Sequence, residues 1–234
     1  VIQRDGSPHG GKDFTFWNPP IIDKARCTRQ NISRAATSIF TELIQHGIRS
    51  LTFARTRRLV ELIYIYTREQ LAGTSLAQSI KPYRAGYLPE ERRQIERELF
   101  EGRLLGAVAT NSLEMEIDIG DLEATVLTGY PGSIASTWQQ AGRSGRKTGQ
   151  SLSFLIGLDN PLDQYFMRHP DSFFQRTSEH ALTNPGNLHI LKPHLLCAAW
   201  ELPLSDADKE VFGDGFVQAR EELGERGILR SQVD

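Results

Sequence analysis

The chain has no apolar run approaching the roughly 20 residues that a helical bilayer span requires, which excludes a helical membrane protein. Its first residues, VIQRDGSPHGGKD, lack the apolar centre of a signal peptide and do not begin with Met, so a cut inside a longer protein is expected. Cysteine is scarce. Cys27 and Cys197 lie far apart and fit neither a disulfide framework nor a zinc ligand set, so a reducing compartment is expected. Neither sign of charge dominates: 27 Lys and Arg face 29 Asp and Glu, and a net charge of −2 excludes a uniformly basic, indiscriminate nucleic-acid binder. Internal repeats and low-complexity tracts are also missing. What is present is ordinary globular composition, 39% hydrophobic and 24% charged, which excludes a wholly disordered or fibrous chain. The 234 residues suffice for about one and a half domains.

Of the 27 basic residues 21 are Arg and 6 are Lys, and the planar Arg fork suits phosphate better than the Lys point charge. Genome base composition explains such an excess equally well, so position must decide. The spacing of apolar residues predicts a strand at Phe14–Trp17 and a helix over Asn31–His46. A strand over Ile48–Ala54 follows, then a helix over Thr56–Leu71 and a weak strand near Ser79–Ile80. A charged helix follows Pro89 up to Phe100, with Glu90, Glu91, Glu96 and Glu98 offsetting the arginines on one exposed helix. Leu104–Ala109 and Ala124–Leu127 read as strands buried on both faces, Ser133–Ala141 as a short helix and Ser151–Ile156 as a strand. Strand and helix alternating at short spacing predict an α/β fold with a parallel sheet, whose ligands gather at the carboxyl ends of the strands. After about Pro170 no buried strand is expected, only helices over Leu188–Trp200 and Asp214–Arg226, a small helical appendage.

One tempting match fails. Gly6-Ser7-Pro8-His9-Gly10-Gly11-Lys12 has the spacing of a phosphate-binding loop, but Asp13 stands where Ser or Thr should hold Mg²⁺. No strand precedes it and no helix is expected after it, so it reads as a Gly-rich entry segment. The strongest signal is Gln139-Gln140-Ala141-Gly142-Arg143-Ser144-Gly145-Arg146. Two arginines three apart, each beside a glycine, end a short helix after a buried strand. Glycine permits close backbone approach, and paired guanidiniums can grip the oxygens of one triphosphate group. A basic helix end answering the helix dipole is the alternative.

This string resembles motif VI of superfamily-2 helicases, Q-x-x-G-R-x-x-R. Three further resemblances precede it in the right order: Leu51 to Arg58 is similar to motif IV, Tyr83 to Pro89 to motif IVa and Ala109 to Gly120 to motif V. The stretches FWNPP, GYLPEERR, PGSIASTWQQAGRSGR, DQYFMRHP and HLLCAAWELPL resemble the Hrq/mitomycin-repair-factor branch of DNA helicases. The resemblance covers most of the chain. It implies a RecA-like parallel sheet with flanking helices over residues 1–170, the second helicase lobe, and a partial winged-helix-like domain over 171–234. ATP-driven 3′-to-5′ translocation on DNA in repair is implied with it, in the bacterial cytoplasm with the nucleoid, or in the nucleus of a eukaryote. It also implies ATP and Mg²⁺ as cofactors, bound only together with a first RecA-like lobe supplied in cis, and single-stranded DNA backbone as partner.

The same resemblance places Arg143 and Arg146 at the γ-phosphate, Gln139 between nucleotide and DNA, and Asp118, Gly142 and Glu116 at the ATP site. Arg55, Thr56, Arg57, Arg84, Gly86 and Thr110 are placed along the strand phosphates. The His residues fit no metal-ligand pattern, so no resident metal is expected on this chain. The chain lacks a genuine phosphate-binding loop, an acidic Mg²⁺ motif and the family's cysteine-rich tail, so alone it should not hydrolyse ATP. It also departs at Glu116, where the family carries Gly two residues before Asp118. Either that carboxylate points to solvent, or it burdens the triphosphate. In the second case the lobe is a degenerate, ATPase-inactive module that binds DNA or protein. An RNA helicase lobe shares the same motif chemistry.

Overall fold

A computed structural model describes residues 11–84, 86–113, 119–145, 149–175 and 183–230. The chain divides into two compact units, Val1–Glu179 and His180–Asp234. In the first, six strands form one sheet among the described residues: β1 (Lys12–Trp17), β4 (Ser50–Phe53), β5 (Ile80–Tyr83), β6 (Gly106–Ala109), β7 (Ala124–Thr128) and β8 (Ser151–Ile156). Their order is β1-β8-β7-β4-β6-β5, and every pairing is parallel. Strands β4, β6 and β7 are buried at every position, as continuous apolar runs between two helical layers should be. A short antiparallel ribbon, β2 (Ile21–Asp23) with β3 (Thr28–Arg29), leaves the carboxyl end of β1.

Alternation along the strands divides the core. On one face α1 (Ile32–Gln45) and α2 (Arg57–Gln70) bring Phe40, Ile44, Val60 and Ile63 onto Ile80, Val108, Val126 and Ile156. On the other, α3 (Pro89–Phe100) brings Ile95 and Leu99 onto Leu51, Phe53, Tyr83 and Ala107. Helix α4 (Ile134–Ala141), α5 (Pro161–Arg168) and α6 (Asp171–Phe174) surround an aromatic cluster. In it Phe14, Phe16, Trp138 and Phe173 lie with ring centroids 5.5–5.8 Å apart. Residues just past 170, the boundary expected from the sequence, thus pack with the sheet. Trp138 and Tyr130, which could have stacked bases, are packing residues of this cluster.

Side chains cap the helix starts. Asn31 accepts from Ser33 N at 2.9 Å, and Thr56 from Leu59 N at 3.2 Å. Three details differ from the sequence reading. Strand β5 runs on through Pro82, which its edge position tolerates because no neighbour needs the missing N–H. Strand β6 begins at Gly106, where a Cβ would stand 2.8 Å from Ile44 Cδ1 and from the Phe40 ring, so α1 can lie close only over glycine. The four glutamates of α3 do not share an exposed face. Glu98 is buried and accepts from Lys81 at 2.6 Å, which holds its carboxyl below the ordinary value, and Glu96 accepts from the Tyr83 hydroxyl at 2.6 Å.

The second unit is helical among the described residues. Helices α7 (Leu188–Glu201), α8 (Lys209–Phe212) and α9 (Phe216–Glu225) enclose Leu191, Leu195, Phe216, Ala219 and Leu223. The Lys192–Glu222 pair joins α7 to α9, and Arg220 pairs with Asp206 at 2.7 Å. Among the described residues no helix is long and apolar enough to cross a membrane.

Candidate nucleotide and nucleic-acid site

Because the six strands are parallel, the loops that follow them all emerge on one edge of the sheet. The chain runs outward from β4 to β5 and β6, then returns past β4 to β7. This reversal opens a crevice beside β4, the place where ligands lodge in open α/β sheets. A cavity of about 150 Å³ lies there, lined by Arg55 after β4, Asn111 after β6, Gly129 and Pro131 after β7, and Ser136 and Gln140 on α4.

The sequence-expected strand contacts fall on three neighbouring loops of this edge. Arg55 and Arg57 are exposed, and Thr56 caps α2, leaving its hydroxyl hydrogen available to an acceptor. Thr110 is largely buried after β6, its Oγ1 2.8 Å from Ser112 Oγ. Gly86 follows β5 with φ +108°, and is exposed. Arg84 is half-buried and already engaged: its Nε donates to Glu61 at 2.7 Å and its guanidinium lies 4.9 Å from the Tyr87 ring centroid. At the start of α3, which follows the motif IVa stretch, Glu91 accepts from Leu88 N at 3.0 Å, so a carboxylate of the chain itself covers that helix start.

The arginine motif sits where α4 ends. Gln139 is exposed and Gly142 closes the helix, its N–H donating to Trp138 O at 2.7 Å. Arg143 is only 7% exposed, held in a tight turn by its N–H to Gln140 O at 3.2 Å. Gly145 N donates to Leu122 O at 3.0 Å, and Ser144 bridges to Leu122. Glycine is required at 145: its φ is +77°, and a Cβ would strike Ser151. Glu116, Asp118 and Arg146 lie outside the described residues. Among those described, no three His, Cys, Asp or Glu side chains form a metal-binding group.

Several contributors were missed by sequence reasoning. Asn111, Ser136 and Gln140 line the cavity although only their motif neighbours were singled out. Asp163, within DQYFMRHP, is buried and accepts from Tyr130 N at 3.1 Å and Leu158 N at 2.9 Å, fastening the loops after β7 and β8. The Asn160-Pro161 start of α5 was its signal, since Asn160 also caps the helix at Asp163 N. Lys12, dismissed with the false phosphate loop, reaches the arginine turn from β1, and its burial lowers its pKa to about 8.

A six-stranded parallel sheet in this order, flanked by helices and with an arginine turn after α4, has the architecture of a RecA-like lobe. The helicase conserved C-terminal domain model matches residues 35–148, and the winged helix domain of ATP-dependent helicase HRQ1 matches 183–231. The ATP-dependent helicase YprA of Bacillus subtilis is 44% identical over 98% of this chain and 30% of its own length. ATP-dependent helicase HRQ1 of Saccharomyces cerevisiae is 36% identical over 93% of this chain and 21% of its own. The crystal structure of the DUF1998 helicase MrfA bound to DNA and AMPPNP superposes with a TM-score of 0.85. It is 44% identical and spans 99% of this chain and 32% of that one. The chain belongs to the Hrq/MrfA type of superfamily-2 helicases, as their C-terminal helicase lobe followed by winged-helix sequence. It spans a third or less of the length of these relatives.

Proposed function

We propose that this lobe, joined in cis to a first RecA-like lobe, completes an ATP-driven motor that moves 3′-to-5′ along single-stranded DNA backbone in repair. The observation that carries the reading is the row of loops after β4, β6 and β5. These strands are neighbours at about 4.8 Å spacing, and their loops present Arg55, Thr56, Arg57, Thr110 and Gly86 along one edge. Contacts of this kind hold phosphates without reading bases. Arg84 joins them when it leaves Glu61. That the related MrfA was crystallised with DNA and AMPPNP supports the same two ligands here.

ATP would lie between the lobes. Arg143 and Arg146 would meet its γ-phosphate, Gln139 would link nucleotide to DNA, and Asp118, with Gly142 and Glu116 nearby, would face the nucleotide. Gly142 and Gly145 let the turn at 142–145 close tightly, since a Cβ would meet Trp138 O at the first and Ser151 at the second, and this sets where Arg143 stands; Mg²⁺ would be held by the other lobe. Developing charge on the transferred phosphoryl group is what the arginines would stabilise, the role of an arginine finger.

The strand-tracking assignment is tested with the full-length protein by titrating DNA across a salt series. Replacing Arg55 and Arg57 together by Ala should weaken binding of any sequence alike. It should also flatten the slope of log K against log salt by about 1 per arginine. An unchanged slope would remove these residues from the DNA path.

A further inference from the structure

We infer that Lys12 is a positioning residue for the arginine turn, an assignment that rests on the nucleotide role proposed for Arg143. Lys12 opens the edge strand β1, pairing with Ser151 of β8 in the parallel register. Its side chain crosses to a segment about 130 residues further along the chain. There Nζ donates to Ala141 O, to Ser144 O at 2.9 Å and to Ser144 Oγ at 3.0 Å. These acceptors bracket Arg143 on both sides. Ala141 O is also among the last carbonyls of α4, which carry the negative end of the helix dipole and favour a cation. Three oxygens around one ammonium answer its three donors, so the group is fully satisfied although partly buried.

Gly142 and Gly145 flank the turn, and its backbone is fixed by the Arg143 N–H to Gln140 O at 3.2 Å, the Ser144 N–H to Ala141 O at 3.3 Å, the Leu122–Ser144 bridge and the Gly145 N–H to Leu122 O. Lys12 adds a side-chain tie from the same turn to the edge strand β1. With its pKa at about 8, Lys12 is mostly an ammonium at neutral pH and keeps all three donors. An arginine that stabilises a transition state loses effect when displaced by about 1 Å. A brace on the backbone on either side of it, at Ala141 and Ser144, is therefore a lever on turnover, not on nucleotide capture.

The test is a double-mutant cycle in the full-length helicase, read as DNA-stimulated ATPase at a temperature where melting curves show each variant folded. Lys12→Met should lower kcat about tenfold or more and leave KM for ATP and DNA affinity within about twofold. Lys12→Arg, which keeps a charged donor, should recover most of the loss. In an Arg143→Gln background, Lys12→Met should add nothing, because the two act as one unit. Should Lys12→Met melt too low, Lys12→Gln, which keeps donors on a shorter stem, takes its place. Normal kcat in the Lys12 variant with a damaged Arg143→Gln overturns the positioning role alone, as does an additive loss in the double variant. Normal kcat in Arg143→Gln overturns the nucleotide reading beneath it.

Discussion

At the scale of single residues, the site depends on side chains that hold loops more than on side chains that face outward. Asp163 accepts two backbone N–H groups, Tyr130 on the loop after β7 and Leu158 on the loop after β8, and it is 3% exposed. Asp163→Ala would remove the carboxylate that accepts from the buried Tyr130 N and the half-buried Leu158 N, at about 1–3 kcal/mol for each. Urea unfolding of the first unit should show a loss of about 2–5 kcal/mol; a loss below about 0.5 kcal/mol would mean that water replaces the carboxylate. Such residues were hard to read in the sequence. Lys12 and Asp163 act on chain segments far from their own neighbours, and no local period marks a side chain by what it touches across a fold. Arg143 was legible as part of a spaced motif. Its burial was not, because an arginine beside a glycine at a helix end reads as exposed until the turn around it is seen.

Elements were legible where both faces are buried. Strands β6 and β7 stand out as short apolar runs, and β8 falls at Ser151–Ile156 as its spacing predicts. The β2–β3 ribbon escaped notice because strands of three and two residues carry no period. Helix α3 shows how composition misleads: its glutamates read as solvent charges, yet Glu98 closes a pair with Lys81 under the sheet edge. That pair gives the fold a dependence on pH. Donation from Lys81 lowers the Glu98 pKa below its ordinary 4.5, so the folded state binds its proton less readily than the unfolded chain. The stabilisation is therefore present above about pH 4.5 and is lost as pH falls through the lowered value. Thermal melts from pH 7 to pH 3 should fall more steeply for the wild-type protein than for Glu98→Gln, and parallel curves would contradict the coupling.

The molecule as a whole joins a RecA-like lobe to a winged-helix segment, and the lobe is proposed to be half of a motor. Its net charge of −2 does not conflict with a DNA path. Basic side chains that follow strands, Arg55 and Arg57, are exposed at one edge, while Glu98, Glu61 and Glu91 are engaged by Lys81, Arg84 and the start of α3. In the proposed reading the lobe supplies positioned arginine, and an arginine finger is worth about 10³ to 10⁵ in rate only when a second lobe brings the nucleotide. The most direct measurement is therefore DNA-stimulated ATPase of the full-length protein carrying Arg146→Ala, with folding checked by circular dichroism. The account predicts a fall in turnover of about 10³-fold or more with unchanged melting. Turnover at the wild-type level in a folded Arg146→Ala protein would contradict it.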